Sequence, residues 1–218
     1  MDIAQIATRL GPFLAEPLHE RQLEQISIYI DLLKRWNARI NLTAIRKEEE
    51  IITRHFGESL FLARHVFPDM NMNRNASPTP LHVIDIGSGA GFPALPLKIW
   101  APHITLTMIE SNQKKAAFLR EVTRALTLAD VNVSTGRAEV AAANPAIPRA
   151  DLVTLRAVER FATILPQAIA LVAPNGRLAL LIGKSQLDTL TPSLNIAWDP
   201  PVDIPNSHSR VLSIGVHW

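Results

Sequence analysis

Three glycines at alternate positions follow an acidic residue within segment 82–97, HVIDIGSGAGFPALPL. The apolar run before them ends in Asp85, and the glycines are Gly87, Gly89 and Gly91. Glycine allows a backbone with positive φ and a close approach to a bound molecule. The spacing therefore predicts a ligand-binding turn directly after a buried strand.

The residues that follow the glycines distinguish three kinds of cofactor loop. A triphosphate loop, GxxxxGK[ST], would need glycine in place of Phe92 and a lysine after it, and it is excluded. The dinucleotide loop GxGxxG/A also needs a small residue there, so Phe92 weakens this alternative without excluding it. The S-adenosylmethionine loop D-x-G-x-G-x-G fits. Pro93 and Pro96 then suit the first helical turn, where backbone N–H groups lack partners.

A second acidic residue, Glu110, ends the next predicted strand, about 20 residues after the loop. A carboxylate at this place can accept both ribose hydroxyls of an adenosine. Because NAD and S-adenosylmethionine both contain adenosine, Glu110 supports an adenosine cofactor without choosing between them. A solvent-facing acid without a ligand is the alternative interpretation.

Alternating strands and helices beyond residue 80 would position the glycine loop and Glu110. Strands are predicted at 81–86, 104–109, 131–134, 152–155 and 177–182, and helices at about 92–100, 112–127 and 159–172. Such alternation implies right-handed crossovers and a parallel sheet covered on both faces. Two more strands, near 195–203 and 211–217, are joined by a turn without a helix and predict an antiparallel hairpin. The expected fold is α/β, with a mostly parallel seven-stranded sheet and an antiparallel C-terminal hairpin.

The first third of the chain has a helical pattern instead. Within 2–67, apolar residues such as Leu23, Ile26 and Ile30 recur at helical spacing, and an acidic run at 48–50 suits the start of a second helix. Polar residues, asparagine and proline then dominate 68–80, as is typical of a linker. The predicted organisation is an N-terminal helical segment at 1–70, a linker at 71–80 and an α/β domain at 81–218.

Composition limits the class of protein. The pI is 9.2, but the net charge is only +2, so charge alone gives little support for nucleic-acid binding. The absence of cysteine excludes disulfides, zinc–thiolate sites and cysteine nucleophiles. The sequence shows no charged-then-apolar leader and no uncharged apolar run of roughly 18 residues. We therefore expect a cytoplasmic monomer with no membrane association and no metal site.

Several separated segments together resemble the bacterial 16S ribosomal RNA guanine-N7 methyltransferases, the RsmG or GidB family. They are WNARINLTAI (36–45), RHFGESL (54–60), DIGSGAGFPALPLKI (85–99), IES (109–111), KKAAFL (114–119), GRAE (136–139) and LRAV (155–158). The resemblance implies a class I, Rossmann-like fold that uses S-adenosylmethionine. It also implies methylation of N7 of guanine 527, in the 530 loop of 16S rRNA. Ala94 and Glu58 depart from the family's usual Gly and Asp, and the C-terminal tail matches poorly.

The resemblance also implies roles for individual residues. Gly87 and Phe92 would lie against the methionine end of the cofactor, Ala138 and Glu139 would contact its adenine side, and Arg156 would line the site. With the loop residues and Glu110, the predicted cofactor set is Asp85, Gly87, Gly89, Gly91, Phe92, Glu110, Ala138, Glu139 and Arg156.

The implied chemistry needs no obvious catalyst. Guanine N7 carries a lone pair and no proton, so methyl transfer requires positioning and no general base. We therefore assign no catalytic residue, although Arg156 and Lys184 could position the substrate. Arg54, His55, Arg137 and Lys184 are candidate contacts to the RNA or to the small ribosomal subunit, because cations pair with phosphates and with guanine O6. Salt bridges or exposed charges are the alternatives.

Two other functions remain open on the sequence. One is an NAD-dependent oxidoreductase that uses the same adenosine-binding half. The other is a non-catalytic RNA-binding factor for ribosome assembly. Segment 199–202, DPPV, resembles the motif of adenine-N6 methyltransferases, but it falls in the tail and lacks their aromatic residue. We interpret it as a turn.

Overall fold

The computed structural model describes residues 2–68, 80–157, 161–190 and 195–218. Of the predicted linker at 71–80, all but Pro80 lies outside the described residues. Val158, the last residue of the LRAV segment, also lies outside them. Within the described ranges, no helix is both long enough and apolar enough to cross a membrane.

One sheet of eight strands organises the structure. The strands are β1 His82–Ile86, β2 Thr105–Glu110, β3 Val131–Thr135, β4 Ala150–Arg156, β5 Val172–Gly183, β6 Ile196–Trp198, β7 Val202–Asp203 and β8 Arg210–His217. Their order is β3-β2-β1-β4-β5-β8-β6, with β7 also paired to β8. Strands β1 to β5 are parallel, whereas β8 is antiparallel to β5, β6 and β7. The α/β fold with its antiparallel C-terminal hairpin is confirmed.

Two strands differ most in extent from the prediction. The first strand of the hairpin is divided into β6 and β7, because Pro200 and Pro201 between them have no N–H to donate to β8. The sheet therefore has eight strands where seven were predicted. Strand β5 begins five residues before the predicted 177 and includes residues 174–176, where Asn175 has a φ of +62°.

Eight α-helices accompany the sheet in the described ranges. They are α1 Ile3–Leu10, α2 Glu20–Ile40, α3 Glu48–Glu50, α4 Glu58–Val66, α5 Ala94–Trp100, α6 Gln113–Ala125, α7 Ala138–Ala143 and α8 Phe161–Ala170. Between α3 and α4, Ile51–Gly57 forms a π-helix, so the predicted helix at 48–66 is present with one widened segment. Helix α7 was not expected, because its six residues are too short for a helical period to be recognised.

Two apolar cores lie on opposite faces of the sheet. Along β5, Ala179 and Leu181 belong to the first core, while Leu178, Leu180 and Ile182 belong to the second. Because side chains alternate between the faces of a strand, these two sets point in opposite directions. Helices α1, α2, α4, α5 and α6 and the π-helix contribute to the first core, and α7 and α8 to the second. The N-terminal helices therefore share an interior with the sheet.

Candidate active site

The glycine loop lies where the order of the parallel strands reverses. Strand β1 has β2 on one side and β4 on the other, and the loop follows its carboxyl end. Ligands of open α/β sheets bind outside this point. The φ angles of Gly87, Gly89 and Gly91 are +68°, +55° and +86°. A Cβ on Gly91 would lie only 2.7 Å from Cδ1 of Leu95, so this position needs glycine for space as well as conformation.

An open pocket borders the loop. It is lined by Leu42, Thr43, His55, Gly87, Ser88, Gly89, Ala90, Phe92, Glu110, Lys115, Arg156 and Ala157. Five of the nine predicted cofactor residues are among these, namely Gly87, Gly89, Phe92, Glu110 and Arg156. Of the four candidate RNA contacts, only His55 lines the pocket.

Glu110 joins two loops at the edge of the pocket. Its side chain is buried, and its Oε2 accepts a hydrogen bond from the Gly89 amide at 2.8 Å. Its Oε1 accepts one from the Asn112 amide at 2.7 Å. Each carboxylate oxygen can accept a further bond, so Glu110 can fix the loop and still receive a ligand hydroxyl.

Asp85 lies beneath the loop and does not line the pocket. Its Oδ1 accepts a hydrogen bond from the Thr154 hydroxyl at 2.6 Å, and its Oδ2 is buried without a partner in the described part of the chain. Burial raises the pKa of Asp85 to about 6, and the charge of Glu110 adds to this rise. Hydrogen bonds from Ser88 and Thr154 act in the opposite direction.

Arg156, at the end of β4, is held by the N-terminal helices. Its Nη2 donates to Oε2 of Glu58 at 3.2 Å and to the backbone carbonyl of Arg54. Glu58 is itself buried and forms a second ion pair with Arg210 at the start of β8. The Nη1 of Arg156 is buried, and none of the described residues pairs with it. Arg156 lines the pocket through the rest of its side chain or its backbone, while this nitrogen is enclosed by protein.

His55 presents a neutral ring to the pocket. It stacks on Phe92, with the ring centroids 4.6 Å apart and the planes at 13°. Its Nε2 lies 2.9 Å from Oγ1 of Thr43. Burial lowers the pKa of His55 to about 3, and the charges of Arg156, Arg54 and Arg210 add to this effect. The imidazole is therefore uncharged at neutral pH.

The remaining predicted residues do not line the pocket. Gly91 faces inward from the loop. Ala138 and Glu139 are the first residues of α7. Two residues before Ala138, the Gly136 amide donates a hydrogen bond to the Glu110 carbonyl at 3.1 Å. Arg54 and Arg137 have exposed side chains. Lys184 is exposed as well and forms a salt bridge to Asp203 at 2.8 Å, as the alternative interpretation expected.

Two residues that shape the site were missed in the sequence. Thr43 lines the pocket and belongs to segment 36–45, WNARINLTAI. That segment contributed to the family resemblance, but no binding role was predicted for any of its residues. Tyr29 lies among ordinary core positions of α2, yet its hydroxyl donates a hydrogen bond to the Ala90 carbonyl in the loop. A contact across 61 positions of sequence leaves no periodic pattern that could reveal it.

Comparison with known proteins assigns the chain to a family. Residues 22–194 match the model of the family GidB, described as rRNA small subunit methyltransferase G. The protein named ribosomal RNA small subunit methyltransferase G from Roseiflexus castenholzii is 39% identical over 98% of this chain and 89% of its own length. The protein of the same name from Roseiflexus sp. strain RS-1 is 44% identical over 90% of this chain and 84% of its own.

A solved structure supports the fold. The ribosomal protein L11 methylase from Lactobacillus delbrueckii subsp. bulgaricus superposes with a TM-score of 0.56 at 15% identity, covering 74% of this chain and 80% of the other. The sheet and helices are those of a class I methyltransferase. On the family match and the relatives together, the chain belongs to the GidB family of rRNA small subunit methyltransferases.

Proposed function

We propose that this protein transfers a methyl group from S-adenosylmethionine to N7 of guanine 527, in the 530 loop of 16S rRNA. Membership of the GidB family and the names of the relatives support rRNA of the small subunit as the substrate. The choice of guanine N7 and of this position rests on the motif resemblance. The product would be 7-methylguanosine.

The observation that carries the proposal is the joining of the glycine loop to Glu110 at the reversal point of the sheet. Gly87 and Gly89 would let the backbone approach the cofactor, and Glu110 would accept its ribose hydroxyls. Phe92 and Arg156, which both line the pocket, would face its methionine end. S-adenosylmethionine supplies an activated methyl group when bound. The residues present therefore fit this cofactor.

Residues outside the pocket lining would act on the cofactor indirectly or at its rim. Asp85 and Gly91 would support the loop from behind, while Ala138 and Glu139 would border the adenine. The Gly136 amide, which precedes them, already contacts the backbone of Glu110. The exposed cations Arg54, Arg137 and Lys184 are the proposed RNA contacts, Lys184 after release from Asp203.

Positioning accounts for the chemistry in this proposal. Guanine N7 needs no base to remove a proton, so holding the two reactants in line supplies the main part of the rate enhancement. The depressed pKa of His55 is consistent with this, because a cationic ring beside the pocket would repel a sulfonium. Arg156 is held in place by Glu58 and by the Arg54 carbonyl, so it can orient a bound group.

Calorimetric titration separates the methyltransferase from an oxidoreductase. We expect the purified protein to bind S-adenosylhomocysteine and to give no comparable heat with NADH. Tight binding of NADH without any response to S-adenosylhomocysteine would refute the proposal in favour of the nicotinamide enzyme.

A map of rRNA modification tests the activity itself. Chemical cleavage at 7-methylguanosine in rRNA from cells that lack the gene should lose its signal at guanine 527. Expression of the chain should restore that signal. Persistence of the modification in the deleted cells would favour a non-catalytic assembly factor.

A further inference from the structure

Three stacked rings connect an N-terminal helix to the pocket. Tyr29 of α2 lies parallel to Phe92 of the loop, with centroids 5.2 Å apart and planes at 1°. Phe92 in turn stacks on His55 of the π-helix at 4.6 Å. Phe56 packs edge-on against both Tyr29 and Phe92, at 84° to each ring. Such stacked and edge-on pairs add to the energy of burial, so the stack fixes the side chain of Phe92.

The hydroxyl of Tyr29 makes a separate contact with the loop backbone. It donates to the carbonyl of Ala90, which lines the pocket between Gly89 and Gly91. The same hydroxyl occupies the space that a Cβ on Gly91 would need. Tyr29 is completely buried and does not itself line the pocket. Burial raises its pKa well above the ordinary value, so the phenol keeps its proton and remains a donor.

We propose that Tyr29 is a positioning residue for the cofactor, holding the Ala90 carbonyl and the Phe92 ring in the arrangement that binds S-adenosylmethionine. The proposal rests on the function proposed above and adds a residue from the N-terminal helices to that site. Tyr29 touches the loop and not the ligand. Its effect on affinity must therefore pass through the conformation of the loop.

The geometry separates this role from simple core packing. A phenylalanine would fill nearly the same space and stack on Phe92, but it could not hold the Ala90 carbonyl. Another polar contact of α2 offers a comparison, since Nε2 of Gln25 donates to the Leu126 carbonyl at 3.1 Å. That contact joins the same helix to the end of α6, away from the pocket. Losing it would weaken the docking of α2 without releasing the loop.

The first test compares Tyr29→Phe with Gln25→Met in the full chain. We expect Tyr29→Phe to raise the Kd for S-adenosylhomocysteine by about three- to tenfold, the range for loss of one hydrogen bond. It should raise KM for S-adenosylmethionine while leaving kcat within about twofold, and Gln25→Met should leave both affinities unchanged. Equal affinity of Tyr29→Phe and wild type would overturn the proposal, as would an equal loss in Gln25→Met. If the wild type binds no S-adenosylhomocysteine, the proposed function itself fails and this proposal with it.

The second test needs no substitution. The chain contains a single tyrosine, so 3-fluorotyrosine labelling places one ¹⁹F resonance at position 29. We expect S-adenosylhomocysteine to shift this resonance, with the same Kd that calorimetry gives. Because the Tyr29 ring stacks on Phe92 and its hydroxyl holds the Ala90 carbonyl, a ligand that engages the loop must change the surroundings of this fluorine. A resonance that stays unmoved at saturating ligand would therefore overturn the proposal even if Tyr29→Phe fails to fold.

Discussion

Glu110 combines structural support with a proposed ligand contact in one carboxylate. Both of its oxygens already accept backbone hydrogen bonds, one from the glycine loop and one from the residue before α6. The loop is therefore partly ordered before any ligand binds. Preorganisation of this kind reduces the entropy lost on binding. The same residue would then affect affinity twice, through the ribose and through the loop.

Replacement of Glu110 by alanine should weaken cofactor binding without unfolding the protein. We expect S-adenosylhomocysteine affinity to fall by roughly 1.5–3 kcal/mol, the scale of hydrogen bonds to a charged group. Gly89 lines the open pocket and Asn112 is exposed, so water can replace the carboxylate at both released amides. Calorimetry measures the affinity and a thermal melt the fold, with Glu121→Ala on α6 as the matched control. An unchanged affinity would remove Glu110 from the site.

Two titrating groups beside the loop act on stability with opposite signs. The pKa of His55 is about 3, below its usual 6.5, so the unfolded state binds the extra proton and stability is lost as pH falls through this interval. The pKa of Asp85 is about 6, above its usual 3.8, so the folded state binds the extra proton. Stability from Asp85 is therefore lost as pH rises from 3.8 to about 6.

Single substitutions should separate the two effects. His55→Gln removes the His55 effect, so between about pH 4 and 6 we expect the slope of stability against pH to be more negative than in the wild type. Asp85→Asn removes the Asp85 effect, so the slope over the same interval should be more positive than in the wild type. Urea unfolding at several pH values measures both slopes against the wild type, in which they oppose each other. Slope changes from the wild type that have the same sign in the two variants would contradict these assignments.

At the scale of elements, the sequence predicts regular structure better than its irregularities. Short apolar runs that alternate with helical segments predicted the five parallel strands, and the glycine spacing predicted the loop. Both are local patterns in the sequence. The π-helix Ile51–Gly57 has no such signature, since its widened turn keeps the helical apolar pattern. Lys184 directly follows β5, and its direction toward Asp203 depends on a strand 19 positions later, which no local pattern reveals.

The π-helix depends on a glycine at its end. A Cβ on Gly57 would lie 2.7 Å from two carbon atoms of the Phe13 ring. We expect Gly57→Ala to reduce the free energy of unfolding by about 1–3 kcal/mol through overpacking. This should outweigh the roughly 1 kcal/mol by which alanine favours a helix over glycine.

Gly11→Ala supplies the control for this prediction, because no atom lies within 4 Å of the added Cβ. Urea unfolding should show little change for that variant. Gly57→Ala should cost less in a Phe13→Leu background than in the wild type, since leucine relieves the contact. If Gly57→Ala is as stable as the wild type, the close approach of Phe13 does not limit this segment.

At the scale of the whole molecule, the N-terminal helices cover one face of the sheet. Val83, Leu106, Met108 and Leu152 are buried in the first core, which α1, α2 and α4 help to close. Backbone acceptors of the α/β part also take hydrogen bonds from α2, as at the Ile99 carbonyl. Parallel sheets are stable when both faces are covered. The helical segment is thus part of the interior as well as a wall of the pocket.

Deletion of the helical segment should therefore remove cooperative folding as well as cofactor binding. A fragment of residues 80–218 would expose the apolar side chains of the first core and leave the Ala90 carbonyl without Tyr29. We expect it to melt without a sharp transition and to bind no S-adenosylhomocysteine, as circular dichroism and calorimetry would measure. A fragment that melts cooperatively and binds with wild-type affinity would instead show that 81–218 is an independent domain, as the division of the sequence predicts. A fragment that melts cooperatively but binds weakly would separate the two roles, because the sheet would then fold alone while the loop still required α2.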